Sequence, residues 1–268
     1  PREDIDFLEN ELDMWYLDIL EKGLERYRSG YHGEEANIEE DLAEQMSAFK
    51  TNKDEIKQIL LATDAGLDPD EWDEEMKERV AREIRKRTKP ILIAANKMDT
   101  PAAQENYESV TTDPAYEHLT FVPTSAHAEK ALKQADEAGV VDYQPGASEF
   151  EIVGDPSEEQ AAGLEQIREY VEAFDGTGVQ SVLESALFDV MGAMAIFPGS
   201  ANGRADSQGV FRDCFILPEN STTEDFAYHL HSDIGDGLLH GIDCRSKRQV
   251  GSDHELSHRD VVEIVTTN

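Results

Sequence analysis

Residues 91–95, Ile-Leu-Ile-Ala-Ala, form a short apolar run that stops at once in Asn96-Lys97-Met98-Asp99. An unbroken apolar run this short, without alternation, fits a strand buried on both faces of a parallel sheet. A second strand signal falls at residues 119–122 and also ends in small and polar residues, Thr124-Ser125-Ala126. Helical patterns follow it: one beginning near Ala128, one over residues 157–174, and one carrying Val182, Leu183, Leu187 and Val190 after Gly176-Thr177-Gly178. Alternating strand and helix signals indicate an α/β sheet. Ligands of such open sheets bind outside the carboxyl ends of the strands. The two polar segments are therefore expected side by side at a binding edge.

The flanks read differently. Residues 1–88 are helical. Ile5, Leu8, Leu12, Trp15 and Ile19 recur at spacings of three and four, and Ile38, Leu42, Met46 and Phe49 make a second face. Ile56, Ile59 and Leu60 make a third. A fourth helix is expected to open at Asp68-Pro69-Asp70-Glu71 and to bury Trp72, Met76, Val80 and Ile84. Its basic last turn, residues 82–87, suits the negative helix end and is also the composition of an RNA contact. Residues 207–268 suggest a small α+β module: a strand over 210–217, a helix opened by a Ser221-Thr222-Thr223-Glu224 capping box, and short strands ending at 261–265.

The chain carries 58 acidic against 24 basic residues, a net charge of −34. Acids outnumber bases at least two to one in each of the three stretches, so the excess belongs to no single tail. A uniform negative coat is the mark of a surface adapted to a salt-rich cytoplasm, and it says little about partners. Two cysteines, Cys214 and Cys244, make no disulfide framework and fit a reduced, cytoplasmic compartment. No apolar run approaches a membrane span. The eight histidines show no metal-ligand spacing: His229 and His231 are two apart on a helix, and His254 and His258 fall in a loop without a nearby cysteine.

The quartet at 96–99 suits a guanine base. Guanine presents two adjacent donors, N1–H and the N2 amino group, which a carboxylate at Asp99 accepts as a bidentate pair. Asn96 can donate to the purine N7 and tie the two loops together. The apolar stem of Lys97 can lie along the ring. Ser125 belongs to the neighbouring loop, and the Ala126 backbone N–H can donate to the guanine O6. Adenine lacks the N1–H donor and would leave Asp99 unpaired, at a cost of about 2–3 kcal/mol.

These residues resemble the fourth and fifth guanine-nucleotide motifs of P-loop GTPases, and the chain resembles the Obg-related YchF/OLA family in its archaeal GTP-binding branch. "DIDFLENELDMW" is similar to the family's helical insert, "DGTGVQSVLESALFDV" to the segment after its fifth motif, and residues 211–266 to a TGS domain, a β-grasp module. The resemblance implies a helical insert (1–88), the C-terminal half of a G domain (89–206) and a TGS domain (207–268). The implied fold is α/β, a partial P-loop GTPase G domain, with an α-helical insert and a C-terminal α+β module. It implies GTP or GDP as ligand, with Mg²⁺ held by residues outside this chain, GTPase activity in the intact protein, and a link to the ribosome or translation. Many family members carry Glu where Asp99 stands and prefer ATP, so Asp99 argues for GTP.

No G-x-x-x-x-G-K-[ST] loop occurs in the sequence, and Gly176-Thr177-Gly178 lacks the lysine and reads as a helix start. In the resembling family the phosphate loop lies N-terminal to the helical insert. This chain is therefore expected to be the C-terminal portion of the family's pattern, binding guanine nucleotide weakly by itself and not hydrolysing it. Arg245, Lys247 and Arg248 form a cationic spot in an acidic chain: either an ordinary polar turn or an RNA contact. The alternative to a GTPase is a non-enzymatic RNA- or protein-binding module built on the helical and β-grasp regions. The charge reading makes the first prediction: raising KCl from about 0.1 M to above 1 M shortens the Debye length from about 10 Å to about 3 Å and should raise the thermal midpoint. A midpoint that does not move with salt would remove it.

Overall fold

The computed structural model describes residues 2–29, 37–49, 51–200 and 213–267. The fold is mixed α/β and forms two compact units: residues 1–131 with 165–170, and residues 132–164 with 171–268.

In the first unit four helices come first: α1 (Arg2–Arg28), α2 (Ile38–Gln45), α3 (Lys53–Thr63) and α4 (Glu74–Thr88). They share a core of Tyr16, Leu20, Leu24, Leu42, Met46, Ile56, Ile59, Val80 and Ile84. The second and third faces read from the sequence are the ones buried. That of α1 is not. Leu8 and Trp15 are 48% and 45% exposed, and the buried residues are Tyr16, Leu20, Gly23 and Leu24. Its second half joins the helical core, while its first half lies against α4 and residues 110–121 through Ile5, Asp6, Glu9 and Asp13, which leaves Leu8 and Trp15 on the open side. At Gly23 a Cβ would stand 3.2 Å from Leu42 and Gln45 side-chain carbons, so glycine suits the close approach of α1 to α2. The expected fourth helix also starts later. Asp68 caps only a single 3₁₀ turn, Pro69–Glu71, and α4 begins after a separate N-cap, Asp73, whose carboxylate accepts from the Met76 N–H at 2.8 Å.

After α4 come β1 (Leu92–Ala95), α5 (Pro101–Thr111), β2 (Thr120–Pro123) and α6 (Ala126–Glu137). Strands β1 and β2 pair in parallel, Leu92 with Thr120 through Ala95 with Pro123. The expectation of burial on both faces is corrected: Ala94 is exposed, and Leu92, Ile93 and Ala95 are half-buried. Ile5 of α1, Ile91, Ile93 and Phe121 pack on a small cluster of Val110, Tyr116 and Leu119.

Charge ties these parts together. The Arg85 guanidinium, 2% exposed, donates to Asp13 Oδ1 and Glu9 Oε1, both at 2.8 Å. Burial opposes its charge, and the bonds to Asp13 and Glu9 more than offset that, so its pKa lies above the ordinary arginine value. Arg82 reaches Asp13 at 2.9 Å, His118 meets Glu9 at 2.7 Å, Tyr116 donates to Asp6 at 2.7 Å, and Arg2 pairs with Asp113 at 2.6 Å. Arg87 pairs with Glu83 one turn away. The RNA reading of residues 82–87 therefore loses Arg85, which is buried, and Arg82 and Arg87, which are paired.

The second unit holds the hairpin β3 (Val141–Asp142) and β4 (Glu151–Ile152), α7 (Glu158–Phe174) apart from its stretch at 165–170, α8 (Val179–Glu184), β5 (Ala193–Pro198), β6 (Phe215–Pro218), α9 (Thr223–Leu230), α10 (Ser232–Asp236), β7 (Leu238–Asp243), β8 (Arg248–Val250) and β9 (Val261–Thr266). Ser157 and Gln160 form a capping box at α7, and Gly178, at φ 77°, is the N-cap of α8, as its sequence suggests. A π-helical stretch, Ser185–Val190, continues α8. The five-stranded sheet runs β6-β5-β9-β7-β8, over a core of Met194, Ile196, Leu217, Phe226, Leu256 and Val262. Strand β5 thus joins the C-terminal sheet from before residue 206. The expected strand over 210–217 lies partly outside the described residues, and β6 begins at Phe215. The capping box of α9 is shifted by one residue: Thr222 and Asp225 make it, while Ser221 donates to the Pro218 carbonyl at 2.7 Å.

Arg85→Ala would leave Glu9 and Asp13 facing each other without their shared cation. The expected cost is about 3 kcal/mol of unfolding free energy, read from urea denaturation of the chain; a loss under about 1 kcal/mol would show the pair to be dispensable.

Candidate functional site

The parallel register of β1 and β2 brings their carboxyl ends together, and two backbone bonds lace the loops beyond them. The Thr124 N–H donates to the Ala95 carbonyl at 2.9 Å, and the Met98 N–H donates to the Thr124 carbonyl at 3.1 Å. Met98, 1% exposed, and Ser125, 0% exposed, are the anchors; Asn96, Lys97, Asp99 and Ala126 are exposed.

The polar groups interlock. Asn96 Oδ1 accepts from the Lys97 N–H at 2.8 Å and from the Ala126 N–H at 3.1 Å. This leaves the Asn96 amide nitrogen as the donor face of that side chain. The Ser125 hydroxyl donates to Asp99 Oδ1 at 2.8 Å and accepts from the Ala128 N–H at 3.1 Å. Asp99 Oδ2 has no hydrogen bond among the described residues. The five residues singled out from the sequence are thus brought into one constellation. The Ala126 N–H, expected to donate to a guanine O6, donates here to Asn96 Oδ1. It is one of the unpaired N–H groups at the start of α6, and the nearby amide oxygen satisfies it. Lys97 holds a left-handed backbone, φ 67°, which costs a non-glycine residue about 1–2 kcal/mol.

Residues 94–200 match a family model described as an Obg-like GTPase YGR210-like, G4 motif-containing domain, and residues 204–266 match a TGS domain. A GTP-binding protein of Methanocaldococcus jannaschii, MJ1332, is 34% identical over 270 residues, covering 99% of this chain and 67% of that protein. A crystal structure of a GTP-binding protein from Pyrococcus horikoshii superposes with a TM-score of 0.74 at 32% identity, over all of this chain and 72% of that one. The Schizosaccharomyces pombe YchF GTPase, at 14% identity and a TM-score of 0.54, shares the fold. The chain belongs to the Obg-like GTP-binding proteins.

In this Obg-like chain a further side chain stands by the constellation. Tyr170 of α7 lies in the same compact unit as Asp99, 6% exposed, with its hydroxyl shut off from solvent. Burial, and then the negative charge of Asp99, push its phenol up to about 12. No motif spacing announces it. The one signal is its place on the apolar face of α7 with Leu164 and Val171, where a tyrosine reads as core.

The cationic spot at 245–248 lies elsewhere, at the turn between β7 and β8. All four of its residues are exposed. Asp243 organises the turn, accepting from the Arg245 N–H at 2.8 Å and from the Ser246 N–H and hydroxyl. The Ser246 hydroxyl, above all, holds the Asp243 carboxyl below the usual carboxylate range. Arg245 also donates to the Arg259 carbonyl at 2.8 Å, and Lys247 takes a left-handed φ of 59°. Among the described residues no group of three or more His, Cys, Asp or Glu side chains could hold a metal ion, and no helix is long and apolar enough to cross a membrane.

Because Tyr170 gains its proton affinity from burial beside Asp99, its phenol should still be protonated at about pH 11, where an ordinary tyrosine with a pKa of about 10 has ionised. Carbon-13 NMR of its ring Cζ, assigned with Tyr170→Phe, reads this directly. Ionisation near pH 10 would mean that the hydroxyl reaches water.

Proposed function

We propose that the loops at 96–99 and 124–126 form a guanine-base pocket, and that this chain is the base-recognising part of a GTP-binding protein. The observation that carries the reading is the Asp99 carboxylate: an exposed anion with one oxygen fixed by Ser125 and the other open. Such a carboxylate offers an acceptor edge to guanine N1–H and N2–H, and the Asn96 amide stands beside it as a donor suited to N7. Adenine would bring an acceptor where Asp99 needs a donor. A guanine O6 would share the Ala126 N–H with Asn96 in a three-centre bond, a common arrangement at helix ends. The relatives' description as GTP-binding proteins supports the same ligand.

The phosphates and Mg²⁺ of GTP would be held by residues other than these pocket residues; the metal would neutralise charge on the transferred phosphoryl group. In this proposal the helical stretch 1–88 is an insert in the G domain and residues 207–268 a TGS module. The chain by itself is inactive in hydrolysis, and the intact protein is a cytoplasmic GTPase. The acidic coat supports a salt-rich cytoplasm as its setting. A ribosome or RNA contact through Arg245, Lys247 and Arg248 is part of the proposal, supported by the exposure of that turn in an acidic chain.

Asp99→Asn tests the pocket. An amide donates where the carboxylate accepted, so GDP affinity should fall roughly 30- to 100-fold while XDP affinity rises, as measured by calorimetric titration with both nucleotides. Equal responses to the two bases would sink the pocket.

A further inference from the structure

The loop that presents Asp99 is held by side chains of the helix that follows it. Thr100 is the N-cap of α5, where a threonine hydroxyl normally accepts from the first helical N–H groups. It makes no such bond. Its hydroxyl instead donates backwards to the Lys97 carbonyl at 2.9 Å, beside its own backbone N–H, which donates to the same oxygen at 2.9 Å. One turn further along, Gln104 reaches back and donates its Nε2 to the Met98 carbonyl at 2.8 Å.

These bonds act on successive peptide planes. The plane joining Lys97 and Met98 is fixed at its oxygen by Thr100 and at its N–H by the Thr124 carbonyl. The plane joining Met98 and Asp99 is fixed at its oxygen by Gln104. A peptide unit is rigid, so fixing its oxygen fixes the Cα that carries the next side chain. That Cα is Asp99's. The same stretch contains the left-handed Lys97, a conformation that persists only where its surroundings over-determine it.

Resting on the guanine-base reading above, we propose that Gln104 is a positioning residue for the site: through the Met98 carbonyl it sets the direction of the Asp99 carboxylate and keeps the loop ordered before any ligand arrives. Gln104 touches no part of the base pocket itself. Its effect is on preorganisation, which lowers the cost of binding.

The test uses the full chain with two substitutions, Gln104→Leu, which removes the donor, and Gln104→Lys, which restores one on a flexible stem. Amide hydrogen exchange is read without nucleotide, and affinity by titration with GDP and with ADP. Gln104→Leu should speed exchange of the Met98 and Ala126 amides about fivefold to tenfold and weaken GDP by a similar factor, with the thermal midpoint and the weak ADP response unchanged. Gln104→Lys should recover both. Unchanged loop exchange in Gln104→Leu would overturn the proposal, as would losses that track the thermal midpoint and are not recovered by lysine. If the unsubstituted chain showed no preference for GDP over ADP, the base reading would fail, while the exchange data would still decide whether Gln104 holds the loop.

Discussion

The site depends on the parallel pairing of two four-residue strands. That pairing places Ala95 opposite Pro123, so that both chains leave the sheet at the same level. The exchange that follows, Thr124 N–H to Ala95 and Met98 N–H to Thr124, continues the ladder one step past the strands and turns two loops into one polar surface. A slip of one residue would turn the side chains of β1 to the other face and part the loop after β1 from the loop after β2. The register is protected by apolar groups: Phe121 and Ile93 share a cluster with Val110, Tyr116 and Leu119. Packing thus fixes the register, and the register fixes the chemistry.

The acidic composition takes on a second meaning beside this. Most carboxylates are solvated, but Asp6, Glu9 and Asp13 of α1 are bonded to Tyr116, His118, Arg82 and Arg85. They bind α1 both to α4 and to the segment that leads into β2. Removing their charge would act on the folded core, whereas neutralising coat residues such as Glu3 acts only through long-range repulsion. One composition statistic therefore covers two physical populations, separated by what each carboxylate touches.

Much of the fold was legible from the sequence because local signals agreed with their surroundings. The runs at 91–95 and 119–122 became β1 and β2, and Ser157 and Gly178 start the helices they were expected to start. The misreadings share a cause: tertiary contacts chose between local options of nearly equal cost. Ser221 and Thr222 are both fair caps; Thr222 makes the cap, and the Ser221 hydroxyl donates to the Pro218 carbonyl instead. Asp68 and Asp73 both cap, and the longer helix formed behind Asp73. The face of α1 was decided by where α2 and α4 lie. The quartet at 96–99 was legible as a candidate because its chemistry is local. Tyr170 and Gln104 were not, since a helical tyrosine reads as core and a helical glutamine as solvated surface, until the fold shows what each stands beside.

The arrangement also explains how an exposed site can hold a costly geometry. In an isolated peptide the left-handed lysine would relax and the direction of the carboxylate would be lost. Here each is held by a group whose own place is fixed: Asn96 by the amides of Lys97 and Ala126, Ser125 by the start of α6, Met98 by burial, and its carbonyl by Gln104. The strain is offset by bonds to elements that fold for other reasons, so no ligand is needed to create the shape. What a ligand must do is compete with one of those bonds, because the Ala126 N–H already serves Asn96. In the proposed pocket, a planar ring offering an acceptor there and two donors to Asp99 would gain more than it displaces. A ring with only the acceptor would not, so in the proposed pocket the interlock would raise discrimination as well as rigidity.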